Sequence, residues 1–270
     1  MVPVAPDGAR PKAAGLLGVG DGPTRPARYV AHFIEGLAAM LEQSSATRIF
    51  PNRCAAGRAL GEELARLDLQ HPVVLALPRG GVPVGYEVAH LLGAPLDVLV
   101  VRKVGAPGQP ELAIGAVASG VTVSDDEMLS MLGVGADYFE AAARRERLEA
   151  QRREAAFRQG RPPLDLGDRT AILVDDGLAT GSTMLAAVAV ARKLEAAQVI
   201  VAVPVGARQA CDRLAERADR VVCLAVPEPF GAVGVWYEDF TQADDADVRR
   251  LLKLAQLEQE AHYQPVAGAG

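Results

Sequence analysis

One segment, residues 171–183, joins an apolar run, two adjacent carboxylates and a loop of small residues. It reads Ala-Ile-Leu-Val-Asp-Asp-Gly-Leu-Ala-Thr-Gly-Ser-Thr. The first four residues are apolar without alternation, which is typical of a central parallel strand covered on both faces. Residues 184–195 then follow with helical spacing. The segment therefore predicts a strand-loop-helix unit, and such a unit belongs in an α/β fold.

The loop of this unit has the chemistry of an anion site. Thr-Gly-Ser-Thr at 180–183 would present backbone N–H groups and hydroxyls at the start of the helix, where the helix dipole favours a dianion such as phosphate. Asp175 and Asp176 come at the carboxyl end of the strand, where open α/β sheets bind ligands. Carboxylates there accept hydrogen bonds from vicinal sugar hydroxyls. The predicted ligand is a sugar phosphate.

Two other interpretations of this segment have to be considered. An ordinary turn that caps a helix also begins with Asp followed by small residues. Against it, two acids at a buried strand end repel each other and lose hydration, a cost rarely kept without a ligand or a cation. The phosphate loop of nucleotide hydrolases is excluded, because the sequence contains no Gly-x-x-x-x-Gly-Lys-Ser/Thr.

The segment resembles the phosphoribosyl pyrophosphate (PRPP) signature of type I phosphoribosyltransferases, in which a hydrophobic run precedes an acidic pair and a Thr-Gly loop. The resemblance implies that Asp175 and Asp176 hold the ribose hydroxyls and that Mg²⁺ accompanies PRPP. It also implies that the loop binds the 5-phosphate. The residues of that loop are Ala179, Thr180, Gly181, Ser182 and Thr183.

A second glycine loop precedes this segment. A short apolar run at 73–77 is followed by Pro-Arg-Gly-Gly at 78–81, where the glycines permit close backbone approach to an anion. In type I phosphoribosyltransferases the corresponding loop binds pyrophosphate and often contains a strained or cis peptide. The resemblance therefore assigns pyrophosphate to Arg79, Gly80 and Gly81. The sequence leaves open whether the cis bond precedes or follows Pro78.

A pair of cations follows the next predicted strand, at 96–101. Arg102 and Lys103 would neutralise a leaving pyrophosphate and so act in catalysis, and the Gly/Pro-rich stretch after them predicts a mobile lid. Similar phosphoribosyltransferases carry Arg-Lys or Lys-Lys at this place. Glu111 is the acid of this lid and is predicted as the catalytic base, because Ala179 stands where 6-oxopurine enzymes have Asp. The alternative for Glu111 is an exposed loop charge.

A third segment, residues 226–240, contains the only Trp of the chain together with Phe and Tyr. It loosely resembles the acceptor-binding segment of hypoxanthine-guanine phosphoribosyltransferases. The acceptor contacts that this implies are Phe230, Val233, Trp236 and Tyr237. Glu238 and Asp239 would then approach the magnesium. The alternative is that the Trp-Tyr pair closes a hydrophobic core.

The order of apolar runs and helical patterns predicts the architecture. Strands alternate with helices, which favours a doubly wound, mainly parallel sheet of about five strands with flanking helices, a flexible lid hairpin and a small hood. Residues 1–45 are an extension rich in Pro, Gly and Ala, 46–260 are the phosphoribosyltransferase domain, and 261–270 are a tail. Within the domain, 125–160 is a helical insertion and the hood lies near 226–260. The arginines of the insertion are predicted to form a solvated helix face. The alternative is that they contact phosphates.

Composition limits the classes of function and location. The formal net charge of −6 argues against nonspecific nucleic-acid binding. Three cysteines without Cys-x-x-Cys spacing indicate neither a disulfide framework nor a zinc site. The sequence shows neither a signal peptide nor an apolar stretch approaching 18 residues, so a cytoplasmic protein without membrane contact is expected. We also expect a homodimer.

Three functions remain open at this point. The resemblance implies a phosphoribosyltransferase, a pentosyltransferase that moves the 5-phosphoribosyl group of PRPP to an acceptor and releases pyrophosphate. The small-molecule acceptor would be a nucleobase nitrogen, or a hydroxyl or amine of a cationic molecule such as an aminocyclitol. The alternatives are a regulator that senses PRPP without turnover and a hydrolase of PRPP.

Overall fold

The structure, a computed structural model, describes residues 50–262. The predicted extension at 1–45 and most of the predicted tail lie outside these residues. The helices are α1 (Arg53–Leu64), α2 (Gly81–Leu92), α3 (Asp126–Met131), α4 (Ala136–Arg158), α5 (Ser182–Lys193), α6 (Arg208–Ala215) and α7 (Asp245–His262). The strands are β1 (Pro72–Ala76), β2 (Leu96–Val98), β3 (Arg102–Ala106), β4 (Gln109–Ala118), β5 (Val121–Ser124), β6 (Thr170–Val174), β7 (Gln198–Val205) and β8 (Arg220–Ala225).

Five of the strands form one parallel sheet in the order β2-β1-β6-β7-β8. Every residue of β6 is buried, because helices cover both faces of the sheet and each face carries its own apolar core. The predicted fold class, a mainly parallel sheet of five strands with flanking helices, is confirmed. The connections leave β1 and β6 in opposite directions, and this switch opens a crevice at their carboxyl ends. The loops at 77–80 and 175–183 meet there.

A second sheet of three antiparallel strands, β3-β4-β5, stands beside the parallel sheet. The strand predicted at 96–101 is shorter than expected and ends at Val98. Arg102 and Lys103 consequently do not end that strand but begin β3. The Gly/Pro-rich stretch predicted as a lid forms the turn and part of both strands of the β3–β4 hairpin. The pairing of these strands shifts register around Gly105.

Helix α4, the predicted insertion, connects this hairpin to the parallel sheet. Near its start, Phe139 packs into the apolar cluster under the hairpin, and near its end Phe157 packs into a core of the main sheet. Arg158 then pairs with Asp97 of β2 at 3.0 Å, and both side chains are nearly buried. Apolar burial and an ion pair thus fix α4 at the sheet, so that it acts as a brace.

The hood consists of the segment after β8, with a short 3₁₀ turn at Val233–Trp236, and of α7. The backbone of this segment reaches the start of α1, because Phe50 donates to the carbonyl of Trp236 at 3.1 Å and Glu238 donates to the carbonyl of Phe50 at 2.9 Å. The hood is therefore tied to the residues that precede α1. Among residues 50–262, no helix has both the length and the apolar character needed to cross a membrane.

The brace generates a prediction about stability. Arg158→Met should lower the free energy of unfolding by about 3 kcal/mol, because the nearly buried Asp97 carboxylate loses its close partner and keeps Arg161 at 3.9 Å. Arg66→Met is a matched control, since Arg66 pairs with Glu63 but is mostly exposed, and should cost less than about 1 kcal/mol. Urea denaturation of both variants measures the difference. Equal losses would contradict the role of Arg158 as an anchor.

Candidate active site

The acidic pair at the end of β6 is the centre of the crevice. The backbone N–H of Asp176 donates to Asp175 Oδ1 at 2.9 Å, so the first carboxylate turns back on the chain. Asp176 Oδ2 accepts two hydrogen bonds from Arg53, from Nε at 2.9 Å and from Nη2 at 2.7 Å. One oxygen of Asp176 is therefore occupied by an arginine that lies 123 residues earlier in the chain.

The surroundings of the two carboxyl groups shift both pKa values upward. Burial raises the pKa of Asp175 well above its usual range, and the neighbouring charge of Asp176 adds to the shift. Burial also raises the pKa of Asp176, against the opposing effect of Arg53. The two negative charges are thus held in an environment that disfavours them. Hydrogen-bond donors from a ligand would relieve this cost.

Arg53 is the functional residue that the sequence analysis missed. Its Nη1 donates to the carbonyl of Thr241 in the hood at 2.8 Å, and its guanidinium carbon lies 3.8 Å from the ring centroid of Phe240. Nothing in the local sequence distinguishes Arg53 from any other helix-start residue. Its role follows only from the packing of α1 against the sheet and the hood.

The loop predicted for the 5-phosphate has the required backbone. Gly181 stands before α5 with φ 71°, which is accessible to glycine at little cost, and no side chain caps the helix. The hydroxyls of Thr180 and Ser182 lie 2.8 Å apart. The Arg213 guanidinium of α6 donates to the carbonyl of Thr180. The start of α5 is thereby presented to the solvent side of the crevice, as a phosphate site requires.

The same loop is fixed to the next strand by two backbone hydrogen bonds. Leu178 donates to the carbonyl of Val205 at 2.9 Å, and Ala207 donates to the carbonyl of Leu178 at 2.8 Å. Ala179 and Thr180 are exposed just beyond this attachment. The loop is consequently positioned before any ligand arrives.

The loop after β1 packs directly on the acidic pair. The peptide bond between Pro78 and Arg79 is cis, one of the two possibilities left open by the sequence. A Cβ on Gly80 would lie 2.1 Å from Asp176 Oδ2, so only glycine fits there. Gly81 is buried and donates its N–H to the carbonyl of Leu77 at 3.0 Å. The Gly81 N–H is thus engaged within the loop, and Gly80 rather than Gly81 lines the cavity.

A cavity of about 780 Å³ runs along the crevice. Its cationic lining residues are Arg53, Arg79, Arg102, Arg152 and Arg153. Its acidic lining residues are Asp176 and Asp245, and the hood adds Phe240, Gln242 and Ala243. Thr183 of the phosphate loop also lines it. A cavity with five guanidinium groups and two carboxylates is suited to a ligand with several negative charges.

The structure separates the predicted pair of cations after β2. Arg102 lines the cavity, whereas Lys103 does not, because neighbouring residues of a strand face opposite sides. Lys103 Nζ instead lies 3.7 Å from Glu111 Oε2 on the adjoining strand. The Glu111 side chain is 95% exposed and also lies outside the cavity lining. The placement of Lys103 and Glu111 does not fit the catalytic roles predicted for them.

The aromatic segment takes the alternative that the sequence analysis left open. The four predicted acceptor contacts, Phe230, Val233, Trp236 and Tyr237, gather in one apolar cluster with Phe50 and do not line the cavity. Tyr237 is buried, and its hydroxyl donates to the backbone carbonyl of Asp176 at 2.6 Å. The Trp236 indole N–H donates to the carbonyl of Phe230 at 2.9 Å. Through the Tyr237 hydroxyl, this apolar cluster contacts the backbone of the acidic pair outside the cavity.

One of the two residues predicted to approach the magnesium, Asp239, is held by contacts within the hood. Asp239 Oδ1 accepts two hydrogen bonds from Thr241, from the backbone N–H at 2.9 Å and from Oγ1 at 2.5 Å. This carboxylate closes a turn of the hood. Throughout residues 50–262, no group of three or more His, Cys, Asp or Glu side chains is arranged to hold a metal ion.

Comparisons with known proteins identify the family of the chain. The model of the phosphoribosyl transferase domain matches residues 48–239. The chain belongs to this family. Proteins of two Mycobacterium tuberculosis strains, provisionally named phosphoribosyl transferases, are 49% identical over 209 residues, which are 77% of this chain and 47% of each relative. The chain thus spans about half the length of the curated relatives it matches.

A solved structure shows the same fold over most of the domain. The protein TT1426 from Thermus thermophilus is 46% identical, with a TM-score of 0.71. The match covers 75% of this chain and 97% of that protein. The parallel sheet with its crevice is therefore the fold of a group of related proteins.

The two acids are expected to affect stability differently. Asp175→Asn should raise the free energy of unfolding at neutral pH, because it removes a charge that burial and Asp176 disfavour. Asp176→Asn should raise it less or lower it, because the relief of a buried charge is opposed by the loss of the carboxylate that neutralises Arg53 in a nearly buried place. Urea denaturation measures both.

The pH dependence provides a further check on Asp175. Since its pKa in the folded state lies above the usual value, the folded state binds more protons than the unfolded state between the two values. Its contribution to stability therefore declines as the pH rises from the ordinary Asp pKa through the raised one. Asp175→Asn should flatten this decline. An unchanged slope in the variant would contradict the assignment.

Proposed function

We propose that this chain transfers the 5-phosphoribosyl group of PRPP to an acceptor and releases pyrophosphate. The observation that carries the proposal is the convergence of three features on one crevice. These are the acidic pair after β6, the uncapped start of α5 and the cavity with its five arginines. A ribose, its 5-phosphate and its pyrophosphate each require one of them.

The proposed reaction is a displacement at C1 of the ribose. The bond between C1 and the pyrophosphate oxygen breaks, and its electron pair leaves with pyrophosphate. A lone pair of the acceptor forms the new bond to C1, and the acceptor gives its proton to a base. The chain contributes mainly positioning and charge: Asp175 and Asp176 would orient the ribose hydroxyls, and Arg79 would stabilise the departing pyrophosphate.

We expect Mg²⁺ to enter with PRPP as part of the substrate. Two observations support this over a site built by protein side chains alone. Asp176 gives one carboxylate oxygen to Arg53, and Asp239 is used by Thr241. Mg²⁺ commonly keeps several waters and binds through substrate phosphates with one or two carboxylates. Of the acidic pair, Asp176 lines the cavity and is the carboxylate that would face it.

The charge of the cavity favours a nucleobase nitrogen as the acceptor. The five arginines outnumber the two carboxylates of the lining, and this excess of positive charge disfavours a cationic acceptor such as an aminocyclitol. The lining at the hood is uncharged at Phe240, Gln242 and Ala243, and the Gln242 amide can both donate to and accept from a base edge. We therefore propose that the acceptor lies against these hood residues.

The decisive measurement is pyrophosphate release from PRPP and Mg²⁺, with a panel of nucleobases, with an aminocyclitol and without acceptor. Transfer predicts release only when a suitable acceptor is present. Release without an acceptor would establish the hydrolase instead, and PRPP binding without release under all conditions would establish the regulator. Size-exclusion chromatography of the same preparation tests the expected homodimer.

Gly80→Ala tests the contact between the two loops. The added Cβ would meet Asp176 Oδ2 at 2.1 Å, so the pyrophosphate loop or the acidic pair has to shift. We expect pyrophosphate release to fall at least about 100-fold, since displacement by about 1 Å costs that much in positioning. Gly135→Ala is the control, because its Cβ would meet open space before α4. Equal activity of the two variants would contradict the proposed site.

A further inference from the structure

Two arginines of the brace helix, Arg152 and Arg153, line the same cavity as the residues assigned to pyrophosphate. From the sequence, a solvated helix face is the expectation for them and contact with phosphates is the alternative. In the structure they line the cavity together with Ala156 and Phe157 of the same helix. Their position therefore differs from that of the other arginines on α4, such as Arg144 and Arg145, which do not line the cavity.

The cations predicted for pyrophosphate are largely committed elsewhere. Arg102 gives Nε and Nη2 to Glu146 Oε2, at 3.0 and 2.7 Å. Arg79 Nη1 lies 3.6 Å from Asp245 Oδ1, and Lys103 lies outside the cavity. A pyrophosphate group with several negative charges would thus find few cations that are not already neutralised.

Arg152 and Arg153 share one carboxylate. Glu149 accepts from Arg152 Nε at 2.8 Å and Nη2 at 2.9 Å, and from Arg153 Nε at 2.7 Å. Two guanidinium groups against one carboxylate leave a net positive charge at this wall of the cavity. The three bonds hold both guanidinium groups in place while their remaining N–H donors can serve a ligand.

The position of these two arginines is fixed by the brace. One turn further along α4, Phe157 is buried in the main core and Arg158 pairs with Asp97. Earlier on the helix, Glu146 holds Arg102 at the start of the hairpin. The arginines therefore stand on a helix anchored on both sides of them, which lowers the entropy lost when they bind a ligand.

We propose that Arg152 and Arg153 bind the pyrophosphate group of PRPP, so that a fixed helix supplies the charge expected from Lys103 on a mobile lid. This inference rests on the proposed function for the identity of the ligand. The observation behind it is that Arg152 and Arg153 line the same cavity as Arg79 and Gly80 of the loop after β1.

The test is calorimetric titration of the whole chain with inorganic pyrophosphate and Mg²⁺, and separately with ribose 5-phosphate. Arg152→Gln with Arg153→Gln should weaken pyrophosphate binding by about tenfold or more, because charge-assisted hydrogen bonds to phosphate are the stronger kind. Ribose 5-phosphate should bind as before. The matched control is Arg144→Gln with Arg66→Gln, which removes the same charge outside the cavity and should leave both affinities unchanged.

A third variant tests the shared carboxylate. Glu149→Gln should tighten pyrophosphate binding, because it removes the anion that both arginines now neutralise. Opposite effects of this variant and of the arginine pair would support a direct contact. Weaker binding of ribose 5-phosphate and pyrophosphate alike in the arginine pair would show a structural effect and overturn the inference.

The results separate this inference from the proposed function. If pyrophosphate release depends on an acceptor but the arginine pair binds pyrophosphate like the wild type, the inference is wrong and the transfer function stands. If no acceptor supports turnover while pyrophosphate binding depends on Arg152 and Arg153, the transfer function fails and the anion site remains.

Discussion

The ion pair between Arg53 and Asp176 holds the candidate site together. Two carboxylates at the end of a buried strand repel each other, and both their pKa values are raised mainly by burial. Arg53 offsets part of this cost from α1, far away in sequence. Because the same guanidinium also holds the carbonyl of Thr241 and covers Phe240, it joins the sheet, the first helix and the hood. The Arg53–Asp176 ion pair therefore contributes both to the arrangement of the site and to the packing of the fold.

The sheet topology decides which loops can cooperate with this pair. β1 and β6 are neighbours, and their crossovers leave on opposite sides. Two loops distant in the chain thus come so close that Gly80 touches Asp176. The short β2 completes the arrangement, because the chain leaves the parallel sheet early and Arg102 opens the hairpin beside the cavity. Arginine side chains from the first helix, the loop after β1, the hairpin and the brace consequently line the crevice.

Local patterns in the sequence predicted the features that local interactions determine. The apolar run of β6 and the glycine before α5 were sufficient for the strand, the loop and the start of the helix. The fold class followed from the alternation of such units. The apolar run predicted a strand to residue 101, but β2 ends three residues earlier, at Val98. A pattern of apolar residues does not determine a strand end that closely, so the separation of Arg102 from Lys103 was not predicted.

Features that depend on tertiary packing were missed. Arg53 and the Arg152–Glu149–Arg153 cluster reach the crevice only because α1 and α4 pack where they do, and helical spacing alone gives them no distinction.

The brace has a consequence for how a ligand reaches the crevice. Swinging the hairpin outward would require α4 to move with it, or would break the close Arg102–Glu146 pair and uncover the apolar cluster around Phe139. The contact between Arg79 and Asp245 is longer and largely exposed, and such pairs contribute less than about 1 kcal/mol. Local opening at the contact between Arg79 and Asp245 is therefore less costly than displacement of the hairpin, while α7 itself stays held by its buried residues Val248 and Leu252.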